Sequence, residues 1–457
     1  MNKKLTYIEA MAISVAIMAP TAAMALNGSL AAGTVGHAVP LTFLLAMITI
    51  GLVSYTFIQF NRHFAHSGSV YAFTSASLCA RTGFLSGWTL LLTYLLFTAA
   101  STAEIGAFMQ SFLELLGVKV GWLPIALVSG ILIWFLAFLE VRISARVLLI
   151  FEGLSILLIA ILAVVIIAKG GAAHHLTAEP FTLGDTKLSA IGLAGVFAFL
   201  SFAGFEGASS LAEETQNPKK AIPLAIGSAV FFTGIFYLIV SYAQSIGFGM
   251  TAAGIKTFAG SSAPLADLSN IYVSHGFAVA IMLGAALSGF SSALGTATTG
   301  SRLLFSMGRD GLFHASLGKL HPKFESPHIA LSVVMIIAFI LLFAMSSFSG
   351  IEVFGYLGTI AVLGLLLAYL VTTVGGIYYF TRIKTWKGPL LIVPILSILA
   401  LGYALYSNVY PVPDAPYKYF PYIVLSWIVL GFLYSAMKRS SVSKFHQQEI
   451  AELEEQQ

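Results

Sequence analysis

The sequence predicts an all-α polytopic membrane protein of twelve transmembrane helices, on three observations. Only 9% of its 457 residues are Asp, Glu, Lys or Arg, while 58% are hydrophobic. A soluble domain carries roughly a quarter charged residues, so this chain has too few to coat a water-facing surface. Apolar stretches of about 20 residues recur, each long enough to cross a hydrocarbon core of about 30 Å. The Lys and Arg residues fall unevenly among the connectors.

The spans read as about 8–32, 39–60, 82–115, 121–139, 144–168, 188–211, 221–247, 275–306, 328–347, 352–380, 388–407 and 417–437. With a cytoplasmic N-terminus, 18 of the 23 Lys and Arg residues lie inside and only Lys119, Lys169, Lys187, Lys256 and Lys418 lie outside. This bias follows the positive-inside rule and predicts cytoplasmic termini in a plasma-membrane protein. It also accounts for the net charge of +4, so no nucleic-acid surface is needed. Lys3, Lys4 and the Ala-Met-Ala at 23–25 mimic a secretory signal, but cleavage would leave eleven spans and upset the charge count. Residues 438–457 read as a polar cytoplasmic tail.

Enzymatic chemistry finds no support. Cys79 is the lone cysteine, and no Cys/His cluster has metal-ligand spacing. His174 and His175 sit together in a polar outer loop, where solvation explains them. No span carries a nucleophile–base pair.

Two spans carry signals of a broken helix. In "VAIMAPTAAMALNGS", Pro20 sits near mid-segment; it removes one ladder bond and disfavours helix at Ala19. In "SFAGFEG", Gly204 and Gly207 flank Phe205 and Glu206. Irregular backbone at membrane depth survives only where protein or a water-filled cavity satisfies it. Five spans precede the second break, so the two breaks fall in the first span of each five-helix half. That pattern predicts an inverted repeat with a midplane site. The domains are then 1–168 and 188–380, followed by a pair of helices at 388–437. A half-helix N-terminus offers N–H groups to a carboxylate, and unwound carbonyls can accept from an ammonium. A kink and a packing glycine are the plainer alternatives.

Three stretches resemble the amino acid–polyamine–organocation superfamily of permeases: "FAFLSFAGFEGASSLAEETQNPKKAIPLAI" from Phe197, "GSRLLFSMGRDGLFHASLGKLHPKFESPHIAL" from Gly300 and "SGSVYAFTSASLCARTGFLSGW" from Ser67. The resemblance extends over residues 5–437. It implies a five-plus-five inverted repeat with two extra helices, broken helices one and six, and alternating access around a central site. The implied cargo is an amino acid or related amine, moved without a bound cofactor or metal by symport with protons. Exchange is the mechanistic alternative; a sensor without net flux is a different class. The resemblance places the substrate carboxylate at Pro20, Thr21, Ala22 and Ala23, which depart from the family's Gly-Ser-Gly-like stretch. It places the amino group at carbonyls of Ala19, Phe199, Leu200 and Ser201, with Phe199, Leu200 or Phe202 occluding the site.

Ionisable groups at membrane depth are costly and mark function by default. Glu9 lies near the start of span one, where water reaches it. Glu104 is two-thirds along span three, facing an outward vestibule or solvent. Glu152 lies in span five; burial disfavours a carboxylate's charge, so such a group can carry a proton in coupling, or serve only as a hydrogen-bond partner. Some proton-coupled members of the superfamily have a Lys where Ser155 stands here. Glu206 matches an acidic position that couples protonation to gating in one exchanger type, or it caps the amides freed by the break. Sodium is the competing ion: Ser288, Ser291, Ser292, Thr296, Thr298 and Thr299 offer hydroxyls, unless these bond to their own preceding turn.

Overall fold

The computed structural model describes residues 5–64, 69–138, 141–324 and 326–438. Lys3, Lys4 and residues 439–457 of the expected tail, with Arg439 and Lys444, lie outside the described residues. Among the described residues the chain is helical, and its one β-type contact is an isolated parallel bridge between Leu5 and Thr215.

Helix α1 (Tyr7–Met18) opens on a capping box: Thr6 accepts from the Glu9 amide, and the Glu9 carboxylate accepts from the Thr6 amide at 2.8 Å. Glu9 is therefore a helix cap. Ala19 then turns left-handed (φ 43°, ψ 62°), and Pro20 starts α2 (Pro20–Val35), where its fixed φ and missing N–H suit the first helical position. Next come α3 (Val39–His63), a short α4 (Ser69–Ser77), α5 (Ala80–Leu115), α6 (Trp122–Phe138) and α7 (Val141–Ala168). The second half opens with α8 (Leu188–Phe202), which stops at extended Ala203 and left-handed Gly204 before a 3-10 segment, Phe205–Glu214. It continues through α9 (Pro218–Phe248), α10 (Ala252–Gly260), α11 (Pro264–Tyr272), α12 (His275–Arg309), α13 (His328–Ala344) and α14 (Gly350–Arg382). Helices α15 (Ile392–Ser407) and α16 (Phe420–Met437) are the last helices among the described residues.

Nine helical stretches among the described residues are long and apolar enough to cross a membrane; the first, Tyr7–His63, contains α1 to α3. Two shorter apolar helices, α6 and α13, stand at the predicted fourth and ninth spans. The 36 residues of α5 extend about 54 Å, well beyond a hydrocarbon core, so this helix tilts or projects. Sequence reading missed α10 and α11, whose nine residues each are too short to show a clear period.

Helices α12 and α14 pack along α5, and α3 packs along α9. The broken elements sit among them: α1 against α9 and the 3-10 segment, α2 against α8. Large apolar side chains face outward on peripheral helices, including Val128, Ile131 and Phe135 on α6 and Leu425, Val429 and Leu433 on α16. Hydroxyls and carboxylates are enclosed instead. Ser101 meets Ser292 at 3.1 Å, and Thr98 meets Thr296 at 3.4 Å, stitching α5 to α12.

Gly204 has two reasons to be glycine. Its φ of 97° disfavours any side chain, and a Cβ there would collide with Ile17. Gly204→Ala should lower stability by about 1–3 kcal/mol through backbone strain alone, read as a lower melting temperature in detergent. Gly33→Ala, helical with open space beside it, should be neutral or stabilising by up to about 1 kcal/mol. Equal melting temperatures for both variants would refute this assignment.

Candidate functional site at the paired helix breaks

Helix α2 begins without a cap of its own. Ala19 has no polar side chain, and Pro20 has no N–H. The first two free amides belong to Thr21 and Ala22, and other helices satisfy them. Glu152 Oε1, from α7, accepts from the Thr21 amide at 3.1 Å. Ser288 Oγ, from α12, accepts from the Ala22 amide at 3.1 Å and also faces the Glu152 carboxylate. The Ala23 amide returns to the Ala19 carbonyl at 2.9 Å. The positive end of the α2 dipole thus meets a carboxylate supplied by the protein.

The break after α8 is satisfied from the opposite direction. Ser14 of α1 donates to the Phe205 carbonyl at 2.9 Å and accepts from the Ala208 amide at 3.0 Å. Glu206 Oε2 accepts from Tyr369 on α14 at 2.6 Å, and Oε1 from Tyr94 on α5 at 3.2 Å. The amides of Gly204 and of Glu206 itself also face this carboxylate. Glu206 therefore does more than cap the break: it ties two long helices to it. Phe205 packs on Tyr369 and Phe57, with centroids 5.2 and 5.3 Å away, closing an aromatic wall around the clasp.

The structure brings together most of the residues singled out in the sequence. Ala19, Pro20, Thr21, Ala22 and Ala23 are buried, as are Phe199, Leu200, Ser201 and Phe202. Several expected contact atoms already have internal partners. The Ala19 carbonyl accepts from Ala23, the Leu200 carbonyl from Ala203 at 3.2 Å, and the Ser201 carbonyl from the Tyr237 hydroxyl at 2.6 Å. The Ala203 amide turns to Leu200, which releases the Phe199 carbonyl from the helical ladder. Leu200 lies against Gly358 of α14, and Phe202 makes an edge contact with Tyr237 at 5.0 Å.

Glu104 differs from expectation. It is 2% exposed, and neither bulk solvent nor an open vestibule reaches it. Gly289 on α12 lies beside it: a Cβ there would sit 3.6 Å from Glu104 Oε2, in ordinary van der Waals contact. Ser288 and Gly289 are consecutive, so one turn of α12 touches both Glu152 and Glu104. Of the six hydroxyls weighed for sodium, Ser291, Thr296, Thr298 and Thr299 bond to carbonyls in their own preceding turn. Sequence reasoning missed Ser14, Tyr94, Tyr369 and Tyr237. Their only advance signal was a polar group inside an apolar run.

Comparison with known proteins agrees with this architecture. The amino acid permease family's sequence model matches residues 5–433. A branched-chain amino acid permease of Bacillus subtilis is 30% identical over 321 residues, 65% of this chain and 65% of that protein. A low-affinity putrescine importer of Escherichia coli is 25% identical over 75% of this chain and 74% of its own length. A methylthioribose transporter of Bacillus subtilis is 26% identical over 93% and 91%.

Removing one hydroxyl from the Glu206 clasp leaves a buried acceptor short of a donor. Tyr369→Phe should cost about 1–3 kcal/mol, and Tyr94→Phe less because its bond is longer. Thermal unfolding of the two variants in detergent measures both; a Tyr369→Phe protein as stable as the parent would show the clasp to be incidental.

Proposed function

The chain belongs to the amino acid permease family, and from that premise we propose that it is a secondary active transporter of amino acids or related amines. It works by alternating access and is driven by protons. The family and the relatives are permeases, not enzymes. The relatives' named cargoes, branched-chain amino acids, putrescine and methylthioribose, differ too much chemically to choose one for this chain.

The observation that carries the proton reading is the position of Glu152. A carboxylate at the N-terminus of a broken helix is strongly held when charged, through the Thr21 amide and the dipole. Protonation weakens both interactions and loosens the joint between α1 and α2. Binding a proton at this point therefore changes the relative energies of two arrangements of the break, which is what coupling requires. Four of the six hydroxyls weighed for sodium donate to carbonyls of their own preceding turn, the ordinary role of Ser and Thr in such helices, and the proton is the driving ion of this reading. The charge asymmetry of the connectors supports cytoplasmic termini, in a protein that this reading assigns to the plasma membrane.

Uptake into proteoliposomes tests the reading, using labelled leucine and putrescine with and without an inward proton gradient. Accumulation above equilibrium that collapses with a protonophore is expected. Binding without flux would replace the transporter with a sensor. Glu152→Gln keeps the shape but loses the charge-assisted bond, and should lower gradient-driven accumulation about tenfold or more while sparing exchange. Unaltered gradient-driven accumulation would remove Glu152 from coupling. Thr21→Trp should abolish binding by filling the space beside the break; parental affinity would move the site elsewhere.

A further inference from the structure

An α-carboxylate is the group that a free helix N-terminus would recognise. Here that position is filled from within, since Glu152 and Ser288 hold the Thr21 and Ala22 amides. An incoming carboxylate would have to displace Glu152 and then remain beside its negative charge. The same place has unmet demand for a cation. Glu152 Oε2 and Glu104 Oε1 are buried without a hydrogen-bond partner among the described residues, and so is the Thr21 hydroxyl oxygen. Ser288 faces Glu152 and the next residue, Gly289, lies beside Glu104, so both carboxylates meet one turn of α12. Among the residues of described burial, no Lys, Arg or His is buried. Buried charges are normally paired, so this pair lacks a buried counter-ion among the residues of described burial.

Resting on the transporter reading, we propose that the cargo is an organic amine without a carboxylate, and that its ammonium is held between Glu104 Oε1 and Glu152 Oε2. An ammonium has three donors and no acceptor, which matches two unpartnered carboxylate oxygens with the Thr21 hydroxyl beside them. Glu152 serves as both the cap of α2 and one wall of the cation site; Glu104 is the acceptor with no structural duty in the break.

Matched pairs test this without knowing the natural cargo. Calorimetric titration of the purified full chain compares putrescine with ornithine, agmatine with arginine, 3-methylbutylamine with leucine, and tyramine with tyrosine. In every pair that binds, the amine should bind at least about tenfold more tightly than the amino acid. Glu104→Gln should weaken amine binding by at least about tenfold while leaving the melting temperature of the unliganded protein in place, and Glu104→Asp should recover part of the loss. An amino acid that binds as tightly as its amine overturns the proposal, and so does amine binding that survives Glu104→Gln. A melting-temperature rise with sodium chloride over potassium chloride equal to that given by the amines overturns it in favour of an inorganic cation. Uptake of leucine without amine preference removes this proposal and leaves the transporter reading standing. Failure of all eight probes to bind or be taken up removes both.

Discussion

The structure depends on one backbone constraint: helix α2 starts in the middle of the protein with no capping side chain of its own. Ala19 in the left-handed region and Pro20 without an N–H leave the Thr21 and Ala22 amides to be satisfied by distant parts of the chain. A helix end left unsatisfied at this depth would cost several kcal/mol, because no water competes for its amides. Meeting the demand fixes α7 and α12 beside the break. It also gives the interior a carboxylate whose charge is matched to a helix dipole.

The second break uses the same logic with the roles reversed. The freed groups after α8 are met by Ser14 from α1, so each broken segment helps to satisfy backbone beside the other. Glu206 then extends this junction to α5 and α14 through Tyr94 and Tyr369. Helix α5 contributes to both carboxylate groups, with Tyr94 at Glu206 and Glu104 beside Gly289. A rotation or shift of α5 or α14 therefore cannot occur without changing bonds at the break. Rigid helices meeting at polar junctions have discrete arrangements, and such junctions can bias one against another.

The fold was legible because the signals that define it are local. Length, apolar runs and charge bias locate the long helices, and Pro20 and Gly204 mark the breaks to within a residue or two. The site was legible only as a set of anomalies. A Glu inside an apolar run shows that something unusual is needed, but not what meets it. The partners of Thr21 and Ala22 lie 131 and 266 residues away along the chain. Depth along a helix was a poor guide for Glu104, because enclosure depends on the neighbouring helix; α12 covers it at Gly289, and nothing near Glu104 in the sequence announces that contact. Ser14 resembled any hydroxyl in a membrane helix until its two backbone partners were placed beside it.

The charge balance of the interior links these features to transport. Three carboxylates, Glu104, Glu152 and Glu206, are each no more than 2% exposed. Each lies in a medium where an uncompensated charge costs several kcal/mol. Tyrosine hydroxyls and backbone amides attend Glu206, and a helix N-terminus attends Glu152, but Glu104 has no comparable support. Dipoles offset part of the cost and cannot cancel a full negative charge. The pair formed by Glu104 and Glu152 must therefore reach near neutrality with protons, with a bound cation, or with one of each. A proton and an ammonium acting at adjacent carboxylates are energetically coupled, since either changes the field that the other meets. In the proposed mechanism, the same two side chains select a cationic cargo and tie its passage to the proton gradient.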